Sequence, residues 1–99
     1  MNLKYRKTFI QETEEILKFY NQNASTEVKE SFLEDLDLTI LMIRNFPEAS
    51  VKVKSVKNTR KKLLMQFPYK IYFLLKEKDI ILMHLRHIKR NRLSRSNLI

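Results

Sequence analysis

Two periodicities divide this chain, and one gives way to the other at Ser50. Before it, apolar residues recur at helical spacing; after it, they alternate. Phe9, Thr13, Ile16, Leu17 and Tyr20 fall along one helical face, with Glu14 and Lys18 placed to pair on another. Thr8, three residues before Gln11, fits a capping box and predicts that the helix begins there. Residues 21–25 interrupt the pattern, and Ser25 or Thr26 supplies a cap for a second helix. Its buried stripe reads as Val28, Phe32, Leu36, Thr39, Ile40 and Ile43, broadened by Leu33 and Leu41. Phe46-Pro47 stops it, because the residue before a proline avoids the α region. Helices joined by about five residues predict an antiparallel hairpin. Ahead of them, residues 2–6 alternate and read as a short strand.

In the second half, Val51, Val53 and Ser55 alternate with Lys52, Lys54 and Val56, a weak strand signal in a connecting segment. Residues 60–66 form a better strand. In the next, Tyr69, Ile71, Phe73 and Leu75 share one face, and Lys70, Tyr72, Leu74 and Lys76 the other. Residues 80–87 make a fourth, after a turn at Glu77-Lys78 that lacks the glycine or asparagine of a type I′ hairpin. Residues 89–99 are basic and carry no clear period. The predicted architecture is α+β in two layers: an N-terminal strand and a helix hairpin packed on an antiparallel β-sheet. With 99 residues and no internal repeat, the whole chain, 1–99, is read as one domain.

Charge sharpens the picture. Residues 1–50 carry nine acids and six bases, whereas residues 51–99 carry fourteen bases and two acids, Glu77 and Asp79. Such a concentration is self-repulsive, and an anionic partner would relieve it. Nucleic acid and an acidic protein segment both fit. A membrane partner does not, because the basic half has strand alternation and no apolar run exceeds five residues against the ~20 of a span. Without cysteine there is no disulfide or thiolate chemistry, which suits a cytoplasmic location. The N-terminal residues show no apolar signal segment. Without glycine, a phosphate-cradling loop, a dinucleotide fingerprint and a nucleophile elbow are excluded. Any phosphate must then be held by side chains.

The basic set of the second half includes Lys52, Lys54, Arg60, Lys61, Lys62, Lys70, Arg86, Lys89, Arg90, Arg92 and Arg95. In a strand Arg60 and Lys62 point opposite to Lys61, so the set is not one stripe. Tyr69 and Phe73 read as core, and Tyr72 shares a face with Lys70. His84 and His87, three apart on a strand, point to opposite faces and cannot share a metal. No cofactor or metal site is expected. His87 has the right free pKa for proton transfer. The helix-2 acids Glu27, Glu30, Glu34, Asp35 and Asp37 read as a solvated face, and no Ser-His-Asp arrangement emerges.

From Arg60 to Asn91 the chain resembles a known family. The strings Arg60-Lys61-Lys62-Leu63-Leu64-Met65-Gln66-Phe67-Pro68-Tyr69-Lys70-Ile71-Tyr72-Phe73, Asp79-Ile80-Ile81-Leu82 and Leu85-Arg86-His87-Ile88-Lys89-Arg90 resemble RelE/ParE toxins of type II toxin–antitoxin systems, in the plasmid-stabilisation style. The specific elements are Phe67-Pro68-Tyr69, opening a strand, and the closing His87-x-x-Arg90, in about the last third of the chain. The resemblance implies a compact cytoplasmic toxin, neutralised by a small acidic or amphipathic antitoxin, through which alone it would meet operator DNA.

The family divides into ParE-like members acting on DNA gyrase and RelE-like members that cut mRNA on the ribosome without metal. This chain has no tyrosine after Tyr72, and Lys70 stands where RelE-like enzymes usually carry arginine, a better bidentate phosphate clamp. These departures tilt the reading toward ParE. A RelE-like endonuclease would use Arg90, His87 and Lys70 catalytically. On either reading Arg60, Lys62, Tyr72, Arg86, Lys89 and Arg92 are the residues expected to meet the target or nucleic acid. A third reading is a small basic nucleic-acid-binding domain without toxicity.

Overall fold

The computed structural model describes residues 1–90, so Arg92, Arg95 and the other tail residues from 91 onward lie outside the described residues. Strand β1 (Asn2–Tyr5) leads into helices α1 (Lys7–Asn23) and α2 (Thr26–Asn45). After a 3₁₀ turn at Pro47–Ala49 come β2 (Val51–Lys52), β3 (Thr59–Leu63), β4 (Tyr69–Lys76) and β5 (Asp79–His87). The five strands form one sheet in the order β1-β5-β4-β3-β2. Strands β2 to β5 are antiparallel neighbours as expected, but β1 joins β5 in parallel, so the sheet is mixed. The consecutive strands β1 and β2 thus occupy opposite edges, and the helix hairpin carries the chain between them.

Helix α1 begins at Lys7, with Arg6 at the N-cap position and no side-chain capping bond there, correcting the capping box expected at Thr8. Thr8 Oγ1 instead donates to the carbonyl of Met83 at 2.8 Å. Tertiary contact outcompetes the local cap here. Ser25 does cap α2, its Oγ accepting from the Val28 amide at 3.2 Å. The helices are longer than expected, leaving only Ala24 and Ser25 between them. Phe46 accordingly ends α2 ahead of Pro47.

The core lies between the helices and one face of the sheet, built on Phe9, Phe32, Leu36, Ile43, Ile71, Phe73, Ile80, Leu82 and Leu85. Val28 and Leu41 are exposed, contrary to the expected stripe: Leu41 lies opposite the sheet-facing arc of α2, and Val28, although on that arc, sits in the first turn of the helix. Asp35 is the converse correction: it is buried, not part of a solvated acidic face. Its two carboxylate oxygens accept from the amides of Met65, Gln66 and Phe67 at 3.0, 2.8 and 2.9 Å. These bonds anchor the β3–β4 connection that places Pro68 and Tyr69.

A bulge in β5 interrupts the simple alternation. Tyr72 pairs with His84 but Phe73 pairs with Leu82, leaving Met83 as the extra residue. Core parity therefore runs Ile80, Leu82, then Leu85 and His87, while His84 and Arg86 take the opposite face with Lys70 and Tyr72. The β4–β5 turn is tight, and only Glu77 within it has positive φ, at 55°, so it is not a type I′ turn.

Candidate anion-binding face of the sheet

The register assembles a row of side chains across the face turned away from the helices. Val51 pairs with Lys61, Lys61 with Tyr72, and Tyr72 with His84, so these four share that face. One row along, Leu63, Lys70 and Arg86 do the same. Between β2, β3 and β4 this face holds a cavity of about 360 Å³, whose lining includes Lys52, Lys54, Lys61, Lys70 and Tyr72 and no carboxylate. Lys70 is buried, its Nζ 5.4 Å from the Tyr72 ring centroid. The same ammonium donates to the carbonyl of Arg90 at 3.2 Å, tying the end of β4 to the segment after β5.

Glu12 controls the other side of this face. Past Arg6, whose amide donates to the Leu82 carbonyl at 2.9 Å, the chain no longer pairs with β5, and α1 side chains reach its edge instead. Glu12 Oε1 lies 3.0 Å from His84 Nδ1 and accepts from the Leu85 amide at 3.2 Å, while Oε2 accepts from Arg86 Nε at 3.4 Å. Burial alone would raise the Glu12 pKa. Its bond and attraction to His84, the Leu85 amide and the Arg86 charge outweigh this and hold it below the ordinary glutamate value. The carboxylate thus replaces a missing strand partner and fixes Arg86 and His84 in place. Neither Glu12 nor Asp35 was legible as structural from composition, but both lie on helical arcs adjoining the apolar stripe, which is the signal available.

The sequence-derived candidates divide between the two faces. Lys70, Tyr72 and Arg86 share the cationic face. Arg60 pairs with Phe73 and Lys62 with Ile71, so both face the helix layer. Arg60 Nη1 donates there to the carbonyls of Glu48 and Ser50 at 3.0 and 2.8 Å. His87 pairs with Tyr69 on the helix side as well, their rings 5.6 Å apart in an edge contact. Its Nδ1 accepts from the Lys89 amide at 3.1 Å, so the neutral ring carries its proton on Nε2. The imidazole of His87 and the ammonium of Lys70 are therefore on opposite faces. Lys89 and Arg90 follow β5 and are exposed. Lys52, Lys54 and Lys61, which line the cavity, belong to the basic set of the sequence but not to its site residues.

On the helix side, Ile16, Phe19, Tyr20, Pro68, Tyr69 and His87 border a shallow, mainly apolar groove of about 470 Å³. Phe19 is 56% exposed there. The Tyr20 and Tyr69 hydroxyls are 3.4 Å apart across its floor, and burial together with that bond pushes the Tyr20 pKa upward, keeping the phenol neutral.

No family model matches the chain, and no curated protein matches it. Among solved structures, a chain of the "Chromosomal ParDE TA system from P. aeruginosa" superposes with a TM-score of 0.75 at 18% identity. The match covers 88% of this chain and 95% of that one. The two helices on a five-stranded mixed sheet therefore constitute a RelE/ParE-like α+β fold, the fold implied by the Phe67-Pro68-Tyr69 and His87-x-x-Arg90 elements.

Proposed function

We propose that this protein is the toxin of a type II toxin–antitoxin system, ParE-like, acting on DNA gyrase and neutralised by a cognate antitoxin. The observation that carries the reading is the fold likeness to a chain of the ParDE system, which extends over nearly the full length of both. The placement of His87 and Lys70 on opposite faces adds support, since a RelE-like trio of Arg90, His87 and Lys70 would need them at one phosphate. The apolar groove beside the helix hairpin and the cationic sheet face together suit an antitoxin segment that is amphipathic and acidic. Induction of the protein alone should arrest growth, and co-expression of a small acidic partner encoded beside it should restore growth. Purified toxin should then inhibit gyrase supercoiling. Normal growth at verified expression would sink the toxin reading, whereas arrest with unimpaired gyrase would remove only the target.

One observation favours the RelE-like alternative: four lysines surround Tyr72 in a cavity lined by no acid. Lysines can stabilise the charge that develops on a phosphate during metal-free cleavage. With His87 on the far face, a lysine would have to move the proton. Primer extension on mRNA after induction distinguishes the two, because only the ribonuclease leaves new 5′ ends.

A further inference from the structure

Helix α2 has an apolar patch on the side turned away from the core. Leu38, Leu41 and Met42 follow the i, i+3, i+4 spacing that sets side chains beside one another on a helix. Leu41 lies ~180° around the helix from the buried Phe32. Leu38 and Leu41 are each 50% exposed and Met42 40%, so nothing among the described residues covers them. Asp37 and Arg44 flank the patch on one side, both exposed, and their separation of a heptad keeps them within about 20° of one another. Among the described residues neither makes a side-chain hydrogen bond or ion pair. Glu34, also exposed, lies between Leu41 and Leu38 in angle.

We infer that this face of α2 is an interface between two copies of the chain, the helices crossing antiparallel about a two-fold axis midway between Ile40 and Leu41. In a two-fold interface each residue meets whatever lies equally far on the other side of the axis. Asp37 and Arg44 are equidistant from that midpoint and on the same flank. Asp37 of each copy therefore meets Arg44 of the other, twice per dimer. Leu38 of one copy lies against Met42 of the other, around a central pair of Leu41 side chains. The patch thus carries its own electrostatic complement, which selects a second copy over a different protein. A parallel crossing is disfavoured, because it sets the Glu34 carboxylate beside its own copy. The whole-molecule charge agrees. Two copies at a formal +9 repel each other, least so where their acid-rich halves meet. Contact through α2 turns both cationic sheet faces outward, at opposite ends of a sheet–helix–helix–sheet stack, where they stay open to other partners. The inference rests on α2 and not on the toxin reading.

Sedimentation velocity of the full-length protein, from about 1 to 100 µM, tests it. The sedimenting mass should rise from one chain to two across that range. Leu41→Glu places a charge on the axis and should weaken association about tenfold or more, while its exposed position keeps the circular-dichroism melt of dilute protein close to wild type. Asp37→Arg and Arg44→Asp should each weaken association about fivefold, and the two combined should return it to within about twofold of wild type. A single chain at every concentration overturns the inference and leaves the patch to a different protein. A dimer that Leu41→Glu does not touch overturns it too, since that dimer uses another surface. Failure of the doubly reversed variant to recover overturns the antiparallel crossing on which the inference is built. Growth arrest by a protein that stays monomeric would sink the interface and leave the toxin reading standing.

Discussion

Glu12 and His84 meet at 3.0 Å, 72 residues apart in sequence, and this contact joins helix α1 to the bulge of β5. The lowered Glu12 pKa makes the junction pH-dependent. A carboxylate held below its ordinary value contributes stability that is complete above the unfolded value, 4.5 for glutamate, and is withdrawn as pH falls through the lower folded value. At pH 7, Glu12→Gln should therefore lower the melting temperature by several degrees, since ~1 kcal/mol is worth about 4–8 °C in a domain of this size. The gap between variant and wild type should close as pH drops below 4.5. A gap of constant size through that window would mean that the Glu12 charge is not what holds the junction.

Asp35 supports a different junction. Its carboxylate satisfies three successive amides, so Asp35→Ala strands three donors in a buried site. The expected loss is about 3 kcal/mol or more, read from denaturant unfolding. Asp37→Ala, two residues away on the exposed side, should change stability by no more than ~0.5 kcal/mol. Similar midpoints for the two variants would contradict the anchoring role.

How much of this was legible in the sequence depends on how local each determinant is. Ser25, Phe46-Pro47 and the alternation Tyr69, Ile71, Phe73 announce their elements through short-range rules, and the elements form where expected. The parallel pairing of β1 with β5 joins residues more than seventy positions apart, and no local pattern encodes it. The bulge at Met83 falls in the apolar run Ile80-Ile81-Leu82-Met83, where alternation has no polar residue to mark a slipped register. At the candidate site, charge pointed to the half of the chain whose strands carry the cationic cavity. It could not separate Arg60 and Lys62, which face the helices, from Lys61 and Lys70, because face assignment across strands needs the register.

Phe73 is fully buried at the centre of β4, so Phe73→Ala should cost ~3–5 kcal/mol, enough to unfold a domain of marginal stability. Loss of a cooperative thermal transition is the expected observation. Leu63→Ala, at a 52% exposed position on β3, should leave the transition nearly unchanged. If Phe73→Ala melts like wild type, the core does not rest on this face of β4.

Arg90 provides the sharpest functional test. It is exposed, and its hydrogen bonds among the described residues run through its backbone: its amide donates to the His87 carbonyl at 3.0 Å, and its carbonyl accepts from Lys70 at 3.2 Å. Among the described residues the guanidinium makes no hydrogen bond or ion pair, and Arg90→Ala should shift stability by no more than ~0.5 kcal/mol. Lys70, by contrast, positions the Arg90 backbone from a buried site, so Lys70→Met should disturb function through Arg90 placement. If the arginine meets an anionic target, Arg90→Ala abolishes growth arrest at an unchanged melting temperature, and Arg90→Lys restores it only in part, because lysine lacks the bidentate fork. Lys78→Ala removes an equal charge from the same basic half and should stay fully toxic. Growth arrest that survives Arg90→Ala as completely as Lys78→Ala would place the active surface elsewhere on the sheet.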